Sequence, residues 1–111
     1  MQKHHKVDLK PTTKLRNACD QYMRSSTYAR LTSAVQAKYA RTLLRVCGTK
    51  VQNAAELGNM RLSDIRYKHV TYAYDSWADS NGPSAANYMA TCLSIVLNTA
   101  IRYEAISANP V

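Results

Sequence analysis

The chain has 111 residues, a formal net charge of +8 and a hydrophobic fraction of 46%. A chain of this length fits one domain and can bury a core without metals or disulfides. Its three cysteines are scattered and include no Cys-x-x-Cys pair, which argues against a disulfide framework or a zinc knuckle and favours a reduced, cytoplasmic setting. The sequence shows no signal peptide and no apolar run of bilayer length, so we expect no membrane partner.

The excess of positive charge lies entirely in the first half of the chain. Residues 1–50 hold 11 lysines and arginines against 2 acids, a balance of +9, whereas residues 51–111 hold 4 against 5, a balance of −1. A basic half on a small domain indicates a polyanionic partner, and nucleic acid is the commonest one. A face that merely keeps the protein in solution is the alternative interpretation.

The first segment predicts an arm followed by a helix. Residues 1–12 are basic and polar without a hydrophobic period, which is typical of a flexible arm or linker. His4 and His5 lie on this arm, where solvated side chains are a better interpretation than a metal site. From Thr13 to Arg24 the apolar residues recur at steps of three and four, which predicts a helix that the run Ser25-Ser-Thr27 breaks.

A second helix is predicted from Ser33 to Cys47, ended by Gly48. Ser33 and Gln36 have the spacing of a capping box. One side of the helix is apolar and predicted to be core: Val35, Tyr39, Leu43 and Val46. Another side is a ridge without acids: Ala34, Lys38, Arg41 and Arg45. The chain has no Asp or Glu from Gln21 to Ala55, and a helix that only faces water usually mixes both signs, so the ridge favours contact with phosphate.

Residues 49–65 form the longest predicted irregular region, with room for a short helix over Gln52 to Leu57. Leu62 and Ile65 are expected in the core. A third helix is predicted from Arg66 to Asp79, with Val70, Ala73, Tyr74 and Trp77 facing inward.

The fourth predicted helix is the longest, from Pro83, a residue suited to a first helical turn, to Glu104. Its apolar stripe comprises Met89, Leu93, Val96, Leu97, Ala100 and Ile101. Its polar stripe comprises Ser84, Asn87, Thr91, Ser94 and Asn98. Short hydrogen-bonding side chains suit a close approach to phosphates or base edges. No segment predicts a strand, so the fold class is all-α, a small four-helix bundle.

The sequence contains no recognisable catalytic constellation. A nucleophile needs an adjacent base and an orienting partner, and neither the eight tyrosines nor the seven scattered acids supply such a set. There is no glycine-rich phosphate loop. We therefore expect no enzymatic activity from this chain, no cofactor and no metal.

Three segments of the chain resemble the N-terminal core-binding (SAM-like) DNA-binding domain of the tyrosine recombinase, or phage integrase, family. They also occur in the same order along the chain as in that family. Ile106-Ser-Ala-Asn-Pro110 is similar to the junction between that domain and the catalytic domain. Arg61 to Val70 is similar to the entry to the third helix, although Arg66-Tyr67 stands where Thr-Pro is usual. Tyr39 to Arg45 falls where the family has an aromatic residue followed by a leucine-rich stretch.

The resemblance implies a division of the chain and a set of contacts. Residues 13–106 would form the DNA-binding domain, and residues 107–111 would begin the linker to a catalytic domain whose active residues lie beyond Val111. Helices two and four would cross in or near the major groove. The implied DNA contacts are Ala34, Lys38, Arg41, Arg45, Asn87, Thr91 and Ser94. The implied partners are a double-stranded recombination site, the catalytic domain of the same polypeptide and other recombinase protomers.

Two other classes of function stay open. One is a transcription regulator with a helix-turn-helix, although the second and third helices are too far apart in sequence for the tight turn of that motif. The other is a helical protein-interaction module whose basic face meets an acidic partner.

Overall fold

The computed structural model describes residues 8–51 and 55–111. In these ranges five α-helices account for most of the regular structure: α1 Leu15–Tyr22, α2 Ser26–Ala29, α3 Ser33–Cys47, α4 Tyr67–Asn81 and α5 Pro83–Arg102. Two 3-10 turns, Leu57–Asn59 and Leu62–Asp64, lie between α3 and α4. No strand occurs in the described ranges, which confirms the all-α prediction.

Helix α5 is the centre of the core. It packs against α1, α3 and α4, and most of its predicted apolar stripe is buried: Met89, Leu93, Val96, Leu97 and Ala100. Ile101, the last member of that stripe, is only half-buried. Because one helix serves as the common partner of three others, its removal would leave none of them with a complete interface.

Helices α4 and α5 form a hairpin joined by a single residue. Gly82 has a φ of 88°, a backbone conformation that residues with a Cβ rarely adopt. Pro83 follows as the first residue of α5, where its missing N–H is not needed. The predicted stop and restart at this point is confirmed, and α4 itself extends two residues beyond the predicted end.

The inward side of α4 is close to the prediction. Val70, Ala73 and Trp77 are buried, as are Leu62 and Ile65 before the helix. The indole N–H of Trp77 donates to Thr49 Oγ1 at 2.8 Å, so the ring packs in the core while its one polar atom is satisfied. Trp77 is therefore a core residue, as predicted.

The region between α1 and α3 differs from the prediction. Ser25 caps a further one-turn helix, α2, where a break was expected. Thr32, one residue before the predicted cap, accepts a hydrogen bond from Val35 N at 3.3 Å. The Gln36 side chain does not complete a capping box with Ser33. It donates instead to the carbonyl oxygens of Tyr28 and Leu31, each at 3.1 Å, and so connects α3 to the end of α2 and the turn that follows it.

Part of the predicted N-terminal arm is held against the helices. Asp8 N donates to Gln21 Oε1 at 2.6 Å, and Gln21 Nε2 donates back to Asp8 O at 2.9 Å. Leu9 is buried and Pro11 O accepts from Ser63 N at 3.0 Å. Residues 8–12 thus differ from a free arm, because a buried leucine and paired backbone groups fix them. Residues 1–7 lie outside the described residues, as do Gln52–Ala54 of the short helix expected before Leu57.

Gly48 follows α3 as predicted, but its φ of −80° is ordinary for any residue. The helix ends instead where Thr49 turns its hydroxyl back to Arg45 O at 2.9 Å. As to longer elements, none of the helices in the described ranges is both long and apolar enough to cross a membrane.

Candidate nucleic-acid interface

The basic ridge of α3 is exposed along its length. Ala34, Lys38, Arg41 and Arg45 all face solvent, whereas Leu43 and Val46 of the predicted core side are buried and Val35 and Tyr39 are half-buried. The described residues form three ion pairs: Lys10–Asp8, Arg16–Glu56 and Arg61–Asp64. None involves the ridge, so among described residues its three cations have no acidic partner.

Lys38 connects the ridge to α5. Its Nζ lies 4.3 Å from the centroid of the Tyr88 ring, a cation–π contact. Tyr88 in turn lies beside Tyr39, with ring centroids 6.1 Å apart. The two aromatic rings and the ammonium group therefore join α3 to the first half of α5, and they hold the Lys38 side chain along the surface.

The hydroxyl of Tyr88 stays protonated at physiological pH. Desolvation and the neighbouring Cys92 thiol raise its pKa to about 12, and the Arg41 guanidinium offsets this only in part. Burial likewise raises the pKa of the Cys92 thiol. Tyr88 therefore presents a neutral ring and a neutral hydroxyl beside the ridge, a surface on which a base or a cation can stack.

Arg45 marks the other end of the ridge. Its Nη2 donates to Asn81 Oδ1 at 2.9 Å, which connects the end of α3 to the end of α4. A cation in the last turn of a helix also interacts favourably with the free carbonyl groups there. Arg45 thus has a structural role in addition to the predicted contact with phosphate.

The predicted polar stripe of α5 is already engaged within the protein. Asn87 Oδ1 accepts from the Tyr74 hydroxyl at 2.5 Å, and Thr91 Oγ1 donates to Asn87 O at 2.9 Å. Ser94 is half-buried, because Asn109 Nδ2 donates to its Oγ at 2.9 Å. The same amide lies 2.9 Å from Asn98 Oδ1. The C-terminal segment therefore lies along the half of the stripe that contains Ser94.

The structure brings some of the predicted contacts together and separates others. Lys38 packs on Tyr88, the residue next to Asn87, so the middle of the ridge adjoins the beginning of the α5 stripe. Ser94 belongs to a different environment beneath Asn109. Sequence patterns did not predict the contacts of Tyr88 with Lys38 or of Asn109 with Ser94, since an aromatic residue beside a polar stripe and an asparagine in an irregular tail have no periodic signal.

No protein-family model, curated protein or solved structure matches this chain.

Proposed function

We propose that the chain binds duplex DNA through the exposed face of α3, as the core-binding domain of a tyrosine recombinase of the integrase type that acts in site-specific recombination and integration. The observation that carries DNA binding is the acid-free ridge of Lys38, Arg41 and Arg45, all exposed on one helix. Cations that a helix holds in a row can each neutralise a phosphate and release its counterion.

The remaining contacts follow from the neighbours of the ridge. Lys38 lies over the Tyr88 ring and Arg45 donates to Asn81, whereas the exposed Arg41 forms neither an ion pair nor a hydrogen bond with the described residues. Arg41 is therefore the main phosphate contact. Lys38 and Tyr88 form the centre of the interface, where the ammonium can leave the ring to reach a base edge. Asn87 and Thr91 contribute from α5 at its edge, each after exchanging one internal hydrogen bond for one to DNA.

The finer assignment to the recombinase class is supported by the all-helical fold together with the sequence resemblance. In that assignment the partners are one half of a recombination site, a catalytic domain of the same polypeptide and other protomers on the same DNA. The chain itself is a binding domain without catalytic activity. A nicked suicide duplex tests this: a covalent adduct on any tyrosine of this chain would contradict it.

Equilibrium binding to a labelled duplex tests the proposed activity. With about 4 to 6 phosphates contacted, log K should fall against log salt with a slope of about −4 to −5. Selection of bound duplexes from a random pool then tests the assignment to a recombination site, because a core-binding domain should enrich one short motif. Binding without enrichment would retain DNA binding and remove the recombinase assignment.

One observation favours a second candidate function, a helical protein-interaction module. Leu44 is 68% exposed on α3, between Arg41 and Arg45. A large apolar side chain between cations suits an acidic, amphipathic partner helix better than it suits phosphate. Leu44→Gln distinguishes the two, since it should leave the salt slope for DNA unchanged and should weaken binding to an acidic amphipathic peptide.

A further inference from the structure

Two cysteines from different helices meet at the floor of a surface recess. Cys19 of α1 and Cys47 at the end of α3 have Sγ atoms 3.7 Å apart, and both are free thiols. The recess between the two helices has a volume of about 180 Å³, and Arg16, Asp20 and Leu44 also line it. Only 3% of Cys19 and 2% of Cys47 are exposed, so a reagent must enter the recess to reach them.

The two thiols are not equivalent. The two sulfurs share a hydrogen bond in which either thiol can be the donor. This bond, and secondarily the Arg16 guanidinium, lower the pKa of the Cys47 thiol. The same hydrogen bond and burial raise the pKa of the Cys19 thiol. Arg16 is fixed there by Glu56, whose Oε1 lies 2.8 Å from Arg16 Nη2. Arg16 Nη2 also lies 3.5 Å from Cys47 O, so the cation is beside Cys47. Since the thiolate is the reactive form of cysteine and a nearby cation favours it, we assign Cys47 as the nucleophile and Cys19 as the resolving thiol.

We propose that Cys19 and Cys47 form a peroxide-oxidisable dithiol that closes to a disulfide between α1 and α3. The Cys47 thiolate attacks hydrogen peroxide, breaks its O–O bond and becomes a sulfenic acid, with hydroxide as the leaving group. Cys19 then loses its proton and attacks the Cys47 sulfur, and a second hydroxide leaves. Overall, two thiols are oxidised and one peroxide is reduced to two waters. This inference is independent of the proposed DNA binding.

The packing decides which side chain moves. A disulfide requires the two sulfurs to approach to about 2.05 Å. Gly58 stands directly against Cys47: a Cβ at position 58 would lie 2.6 Å from Cys47 Cβ. Cys47 is therefore held in place from behind, and closure depends on rotation of the Cys19 side chain. The recess has a volume of only about 180 Å³, so we expect hydrogen peroxide to reach the thiols more readily than a bulky oxidant such as glutathione disulfide.

Cys92 provides an internal control for the experiment. It is buried on α5, and burial raises the pKa of its thiol. The reduced chain is treated with hydrogen peroxide, alkylated and mapped by peptide mass spectrometry. We expect an intramolecular Cys19–Cys47 disulfide, with Cys92 recovered as the alkylated thiol. Oxidation of Cys92 at the same rate, or a disulfide between two chains, would overturn the proposal.

Single variants test the order of the two steps. Cys19→Ser should accumulate a sulfenic acid on Cys47 that dimedone traps, whereas Cys47→Ser should leave Cys19 unreacted at the same peroxide dose. Cys92→Ser should behave as the parent chain. A dimedone adduct on Cys19 in Cys47→Ser, at the rate seen for Cys47, would overturn the assigned roles.

The role of Arg16 is tested by the pH profile of oxidation. Arg16→Gln should slow the reaction severalfold at neutral pH and match the parent at alkaline pH, where Cys47 ionises without help; Arg16→Lys should restore most of the rate. Glutathione disulfide tests access, since it should react far more slowly than peroxide. If all three thiols oxidise together and only as fast as the chain unfolds, as measured by hydrogen exchange, the recess has no role and the proposal fails.

Discussion

Helix α3 and the α4–α5 hairpin differ in exposed charge and in their share of the buried core. Residues 1–50 contain the excess positive charge, and α3 exposes three cations and a leucine. Residues 51–111 have a near-neutral balance, and α5 contributes the largest share of the buried core. The comparison shows that the proposed binding surface lies on an element that needs only one of its faces for stability. Exposed charges on α3 can therefore be removed without unfolding the chain. Truncation of the buried side chains of α5, in contrast, should lower the free energy of unfolding.

The same substitution at one leucine of each region gives the largest expected contrast. Leu97 of α5 is 0% exposed and Leu44 of α3 is 68% exposed. Leu97→Ala leaves a cavity among α5 and its partners and should lower the free energy of unfolding by about 3 to 5 kcal/mol. Leu44→Ala should change it by less than about 0.5 kcal/mol. Urea unfolding of both variants measures the difference, and equal losses would show that the two regions share the core evenly.

Gly48, at the end of α3, and Gly58, in the 3-10 turn that packs on α3, should respond differently to the same substitution. A Cβ at Gly58 would meet Cys47 Cβ at 2.6 Å and the Cys47 carbonyl oxygen at 2.9 Å. Gly58→Ala should therefore destabilise the fold by about 1 to 3 kcal/mol through overpacking. At Gly48 the nearest atom, Leu44 O, is 3.5 Å away. Gly48→Ala should be neutral or stabilise by up to about 1 kcal/mol, since it restricts the unfolded chain.

Thermal unfolding of the two glycine variants distinguishes these outcomes. If the melting temperature of Gly58→Ala equals that of the parent chain while that of Gly48→Ala is lower, the 3-10 turn does not pack closely on α3.

The N-terminal caps of α3 and α4 differ in chemistry and should differ in pH dependence. Thr32 Oγ1 accepts from Val35 N, whereas His69 Nδ1 accepts from Arg66 N at 2.9 Å. The latter needs a neutral imidazole. Desolvation, with Lys68 and Arg66 nearby, lowers the pKa of His69 below 6.5. As the pH falls, His69 is therefore protonated in the unfolded chain before it is protonated in the folded chain. The contribution of this hydrogen bond to stability is complete above pH 6.5, and it is lost as the pH falls through the pKa of His69 in the folded chain.

Substitution of each cap by alanine checks the sign. Thr32→Ala should cost about 1 kcal/mol at every pH from 5 to 8. His69→Ala should cost a similar amount, about 0.5 to 1 kcal/mol, at pH 8 and less at pH 5. A cost for His69→Ala that grows on acidification would mean that the charged imidazole is the stabilising form.

The sequence predicted the features that depend on periodicity. The extent of α3, the Gly82-Pro83 junction and the buried face of α5 follow from local steric and hydrophobic patterns, which need no knowledge of distant residues. The residue that caps the start of α3 differs from the predicted one. The contacts of single polar side chains were not predictable in this way. Gln36 bonds to α2, Asn109 covers Ser94 and Lys38 lies over Tyr88. Each depends on how two segments meet in space, and none leaves a pattern along the chain.

Half-burial was the other feature that periodicity missed. Tyr39 lies on the predicted core side of α3 but packs at its margin, beside Tyr88. The hydrophobic pattern predicts which side of α3 faces inward. How far each side chain is buried depends on where the interface between α3 and α5 ends.

Removal of charges from α3 and from α4 tests whether α3 is the DNA-binding surface. Lys38→Ala and Arg41→Ala on α3 are compared with Lys68→Ala on α4, which removes an exposed cation outside the ridge. Each variant should keep the stability of the parent within about 0.5 kcal/mol. The salt dependence of duplex binding should then flatten by about one unit of slope for Arg41→Ala and stay unchanged for Lys68→Ala, whereas Lys38→Ala, which removes the base contact, should lose discrimination between selected and random duplexes and keep most of its slope. Equal slopes for all three variants and the parent, or a flattening confined to Lys68→Ala, would contradict the account.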